Sequence, residues 1–214
     1  MHHLARHKSV TRQRRRGAVV LEFIVAMPVL FIAFLAIFEF GILGLVVENG
    51  AHAVNEGARE GAKVWGGLVL FDNNPALNYD PKYLNVNGDD IADQIALSMD
   101  AILDVFDLEV RQNGTLSDNL AKANVLVIIE RGANPVTYRG NIDLLAAPYN
   151  CTRTGTAPGA NEIVVTLCFP LVNSSTPATT YGNPVPNWLA SFGFNLNKPL
   201  TPYRFEMSAR SELE

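Results

Sequence analysis

The run from Ala18 to Val47, AVVLEFIVAMPVLFIAFLAIFEFGILGLVV, is apolar on every side for 30 residues, broken only by Glu22 and Glu39. At about 1.5 Å per residue, a helix of that length crosses a hydrocarbon core of about 30 Å. Pro28 lies inside the run, and membrane helices tolerate proline. Beyond it, Ala53-Val54, Ala58, Gly61-Ala62 and Trp65 recur at roughly helical spacing. That spacing predicts an extension over residues 48–66, with Gly66-Gly67 as a stop and the small residues packing against the chain's own sheet. Residues 72–88, rich in Asn, Asp, Pro and Gly, read as a loop. From Asp89 the positions Ile91, Ile95, Met99, Ile102 and Phe106 step by three or four and predict an amphipathic helix capped by Asp89 or Asp90. Val125–Glu130 and Ile163–Phe169 are β-branched apolar runs, and Tyr203–Arg210 alternates; all three predict strands. The stretch from Pro170 to Pro202 is proline-rich, with Trp188, Phe192 and Phe194 expected to pack back on the sheet.

The fold expected is therefore α+β: a long N-terminal transmembrane helix followed by a small antiparallel sheet with a packed helix. Four segments follow: a basic leader (1–17), a transmembrane helix (18–47), its extension (48–66) and an exported head (67–214).

Charge sharpens this picture. The chain has 214 residues, 17 Lys and Arg against 21 Asp and Glu, and a formal charge of −4. Six of the cations (Arg6, Lys8, Arg12, Arg14, Arg15 and Arg16) precede the apolar run and no acid accompanies them, leaving a formal −10 from Ala18 onward. The positive flank places the N-terminus in the cytoplasm and the head outside, a single-pass topology. An acidic head argues against nucleic acid as a partner. The apolar run is longer than the h-region of a cleaved secretory signal and carries acids within it.

A carboxylate at Glu22, four residues into an apolar helix, needs an aqueous interface, a partner or a proton. On periodicity alone it reaches the headgroups. The pattern Arg14-Arg15-Arg16-Gly17-Ala18-Val19-Val20-Leu21-Glu22-Phe23 resembles the class III signal of pilins. That resemblance implies cleavage by a prepilin peptidase between Gly17 and Ala18, with the apolar helix retained and Glu22 fifth in the mature chain. It also implies that Glu22 pairs with the freed N-terminus of a neighbouring subunit during assembly. The longer run resembles the TadE-like family of the tight-adherence (Flp) pilus systems: Gly17, Glu22-Phe23, Pro28 and Glu39-Phe40-Gly41 stand where that family has its signature, followed by Glu56-Gly57-Ala58-Arg59-Glu60-Gly61-Ala62. The resemblance covers about residues 14–63. It implies a pilin-like architecture and a minor pilin or pseudopilin of the inner membrane, with the prepilin peptidase, other pilins and the pilus secretion platform as partners. The competing reading is an unprocessed single-pass protein whose exported head binds a ligand. Glu39, near the outer end of the span, is expected to reach water or headgroups.

Catalysis is not expected. His2, His3 and His7 lie in the leader, leaving His52, and no nucleophile elbow, phosphate-binding loop or zinc motif is present. Asp72, Asp80, Asp89, Asp90 and Asp93 do not follow the spacing of a calcium loop. No metal or cofactor is expected. Cys151 and Cys168 permit one disulfide if their region is exported.

Overall fold

A computed structural model of the chain describes residues 7–72, 88–106, 108–110, 124–132, 136–153, 155–171, 188–194 and 203–213. The element order is α1 (His7–Asp72), α2 (Gly88–Leu103), β1 (Leu126–Arg131), β2 (Thr137–Gly140), β3 (Glu162–Pro170) and β4 (Arg204–Glu212), with short 3-10 turns at Asp104–Phe106, Ile142–Leu145 and Trp188–Phe192. The chain is α+β, with a long apolar N-terminal helix, a small antiparallel sheet and a helix packed on it. It divides into two compact units, and the division falls inside α1, between Gly41 and Ile42.

The first unit combines α1 up to Gly41 with the Trp188–Phe192 turn. Its helix follows from the long apolar run and continues past Pro28. Proline has no N–H, so the Ile24 carbonyl lacks its usual helical donor at that point.

The second unit is built on the sheet, whose strand order is β2-β1-β3-β4 with every neighbour antiparallel. The register opposes Ile128 to both Tyr138 and Thr166, and Thr166 to Ser208. One face presents Val127, Ile129, Ile163, Val165, Leu167 and Phe169 to the helices. Those residues pack with Val46, Ala53, Val54, Ala58 and Ala62 of α1 and with Ile95, Met99 and Leu103 of α2. Ile102 and Phe106 are partly buried against the same core. The predicted stripe on α2 thus faces the sheet, apart from Ile91, whose side chain lies outside the described residues, as do those of Asp89 and Asp90.

Small residues on α1 set how closely the layers approach. A Cβ added at Gly57 would stand 2.6 Å from Met99 Sδ, and one at Gly61 would collide with Ile163 Cδ1 and meet Ile95 Cδ1 at 3.0 Å. Met99 is flexible and can give way, whereas two branched isoleucines of the core cannot. Gly61→Val is therefore expected to lower stability by about 1–3 kcal/mol through overpacking. Gly44, with nothing near its virtual Cβ, should accept Ala with little effect. Thermal denaturation of the two purified variants checks the contrast.

The opposite face of the sheet carries a second apolar cluster of Leu126, Ile128, Cys168, Leu144, Tyr149 and Cys151. The segment after β2 folds over this face, and Cys151 is joined to Cys168 by a disulfide, their Cα atoms 6.1 Å apart. Gly140 makes the entry possible: its φ of +90° lies in the left-handed region, and its backbone passes so close to the Val125 carbonyl that a side chain would strike it. Asn141 then donates its N–H to that carbonyl at 2.8 Å.

Two differences from the sequence reading stand out. α1 runs through Gly66-Gly67 to Asp72; a pair of glycines costs about 1 kcal/mol each relative to alanine, which does not end a helix that is already nucleated. β2 adds an edge strand that the apolar pattern did not announce. The expected loop lies, for residues 73–87, outside the described residues.

Candidate functional site

The chemistry singled out in the sequence sits on α1. The backbone is helical through Gly17 and Ala18, while side chains up to Val19 are outside the described residues. Ala18 and Glu22 are separated by four residues, about 6 Å of helix rise, or roughly one turn. Glu22 is exposed, and no ion pair to it occurs among the described residues. Around it Leu21, Phe23, Ile24 and Val25 are each 60% exposed or more, and exposure of large apolar side chains continues through Val29, Leu30, Ile37 and Phe40. An apolar helix exposed at every position from Val20 to Phe31 has no protein core there to explain it; it is long and apolar enough to cross a membrane. One such helix makes a single-pass anchor. Pro28 lies midway along this open stretch and is exposed.

Glu39 departs from the expectation that it reaches water. Its residue is 1% exposed, its Oε1 accepts the Leu189 N–H at 2.8 Å, and its Oε2 is buried with no hydrogen-bond partner. The Trp188–Phe192 turn covers it, with Leu189 buried and the Phe192 ring edge-on to Phe31 at 5.9 Å between centroids. The expectation that Trp188, Phe192 and Phe194 pack on the sheet is likewise corrected: their segment belongs to the unit of the N-terminal helix, and all three are exposed, at 44%, 42% and 56%. A carboxylate in an apolar helix needs a donor, and the first N–H groups of a helical turn need an acceptor; each supplies the other. No local signal in the sequence ties residue 39 to residue 189.

Farther along α1, in the second unit, the Glu56–Ala62 segment separates its two kinds of residue. Gly57, Ala58, Gly61 and Ala62 are buried toward α2 and the sheet. Arg59 Nη2 meets Glu56 Oε1 at 2.5 Å, and Lys63 Nζ meets Glu60 Oε2 at 3.4 Å, both on the outer side. The hydrogen bond from Arg59 holds the Glu56 carboxyl below its ordinary value.

On the sheet's second face a cleft of about 320 Å³ is lined by Ile128, Tyr138 and Leu145 together with Glu130 and Arg153. Arg153 Nη1 donates to Glu130 Oε1 at 2.7 Å. Its two charged groups therefore answer each other. The disulfide lies at the same cleft through Cys151.

Residues 17–62 match the family model described as TadE-like protein. The match begins at Gly17 and takes in Glu22, Phe23, Pro28, Glu39 and the Glu56–Ala62 segment; it ends before α2 and the sheet. Comparison with curated proteins and with solved structures returned no match. The N-terminal segment is thus similar to a family of pilin-like proteins of the Tad pilus context.

Proposed function

We propose that this chain is a TadE-like minor pilin or pseudopilin that takes part in assembling a tight-adherence (Flp-type) pilus. A prepilin peptidase cuts it between Gly17 and Ala18 on the cytoplasmic side, the apolar helix stays in the inner membrane, and the head faces outward. The observation that carries the reading is the spacing from Gly17 to Glu22 at the junction of six cations with an exposed apolar helix, within the segment that matches the family. Hydrolysis of the Gly17–Ala18 amide adds water across it, leaving a carboxylate on Gly17 and an ammonium on Ala18. Because the bond lies in helical backbone, the peptidase has to unwind a turn to reach it, and glycine is the residue at which unwinding is least opposed. The new ammonium lies about one turn from Glu22, and in apolar surroundings the two charges seek opposite partners, so subunits stack with Glu22 of one against Ala18 of the next. The Cys151–Cys168 bridge supports a head folded in an oxidising compartment.

Mass analysis of the protein purified from membranes tests the processing step. With the peptidase present, the chain should begin at Ala18; in a Gly17→Leu variant it should keep the whole leader. An intact Met1 terminus in the unaltered chain sinks the proposal and leaves an unprocessed, single-pass anchored binding domain.

A further inference from the structure

We infer that the Trp188–Phe194 segment is a second membrane contact, inserted among lipid acyl chains beside α1 in the leaflet on the Glu39 side. The inference rests on the anchor part of the proposed function and on nothing about cleavage or pili.

Depth along α1 carries it. Glu22 and Glu39 bound the uncharged part of the helix, a stretch of about 25 Å at 1.5 Å per residue. Phe31 lies about 12 Å from the level of Glu39 on the same scale, near the middle of a hydrocarbon layer of about 30 Å. Phe192 rests against Phe31, so a turn that begins level with Glu39 at Leu189 reaches acyl-chain depth by Phe192. A segment at that depth has to satisfy its own backbone. Leu189 N–H goes to Glu39 Oε1, Gly193 N–H to the Ala190 carbonyl at 3.0 Å, and Phe194 N–H to the Leu189 carbonyl at 3.1 Å. Gly193, at φ +87°, takes the left-handed conformation that glycine adopts freely. From Trp188 to Phe194 there is no charged residue, and the three aromatic side chains that stay exposed are of the kind that partitions into the membrane interface and below it. Leu189, by contrast, is spent on the helix. Glu39 is then a positioning residue: its carboxylate holds the first N–H of the turn and so fixes the turn's level.

Tryptophan fluorescence of the full chain in phosphatidylethanolamine and phosphatidylglycerol vesicles tests the inference. The protein has two tryptophans, so W65F leaves Trp188 as the reporter, and F34W in a W65F/W188F background reports the helix. Trp188 should be quenched more by lipids brominated near the headgroup than by lipids brominated near the chain end. Quenching by aqueous acrylamide should fall several-fold relative to the urea-unfolded chain. Glu39→Leu should remove most of the lipid quenching of Trp188 and leave that of F34W unchanged, while Glu39→Gln, which keeps an acceptor oxygen, should preserve both. Lipid quenching of F34W with acrylamide quenching alone for Trp188 overturns the inserted turn and leaves the anchor standing. Unchanged Trp188 quenching in Glu39→Leu overturns the positioning role. Absence of lipid quenching at both sites removes the anchor and the inference together.

Discussion

Replacing Glu22 by Ala is expected to abolish incorporation of the subunit into a filament while leaving its membrane insertion intact. Glu22 is exposed on α1 among large exposed apolar side chains, and nothing within the described part of the chain satisfies it as a charge. Removing a carboxylate from an apolar helix favours insertion, because its desolvation is no longer required. Removing one partner of a desolvated ion pair between subunits, by contrast, typically costs about 2–5 kcal/mol per contact, much of it from the other charge left buried and alone. Along an assembly that repeats the contact, even the lower figure disfavours growth at every step. Glu22→Gln keeps the volume and loses only the charge, so it should fail in the same way as Glu22→Ala. The measurement is the ratio of the protein in sheared filaments to that in membranes, with cleavage at Gly17 monitored in parallel. Normal filament incorporation by either variant would mean that the register is set by something other than an ion pair.

The second large effect concerns the head. Converting Cys151 and Cys168 together to Ser is expected to lower its stability by about 3 kcal/mol, the loop-closure value for a bridge spanning a short loop. The bridged positions are separated by 17 residues. Against a typical total of about 5–15 kcal/mol, that is a large share. Both sulfurs belong to residues buried in the cluster with Leu126, Ile128, Leu144 and Tyr149, and this cluster fastens the loop after β2 to β3. The loop should loosen first, ahead of the sheet, because the helix-side core of Val127, Val165 and Leu167 does not involve it. Thermal melts with and without reductant give the comparison: the reduced native chain and the double-serine variant should melt together, below the oxidised protein. A melting temperature indifferent to reductant would show that the bridge contributes nothing.

How much of this was legible beforehand depends on how far apart the interacting residues are. The stripe on α2 and the apolar runs of β1 and β3 are local patterns, and the elements they predict are present: the strand ends shift by one residue, and α2 closes at Leu103 with Phe106 in the 3-10 turn that follows. The alternating run of β4 likewise sends Phe205, Met207 and Ala209 toward the helix-side core. β2 is another matter. It has four residues, and its centre is Arg139, buried and paired with Asp93 of α2 at 2.5 Å. A buried arginine reads as solvent-facing until its partner is known, and Asp93 lies 46 positions away. The same holds for the Trp188–Phe192 turn: its aromatic residues announced burial somewhere, but only the tertiary structure shows that Leu189 serves α1. Gly17 and Glu22 were legible as a motif because their spacing lies along the chain. The partner that Glu39 found depends on neighbours in space.

The contact between Glu39 and Leu189 spans 150 positions of the chain, and that separation sets an order of events. At about 5–20 residues per second, a ribosome needs roughly 8–30 s to supply the later partner after the earlier one. Over that interval the Leu189 N–H that the carboxylate at position 39 accepts has not yet been made. The turn that closes over it is a late arrival on α1, supplied only once most of the chain has been synthesised.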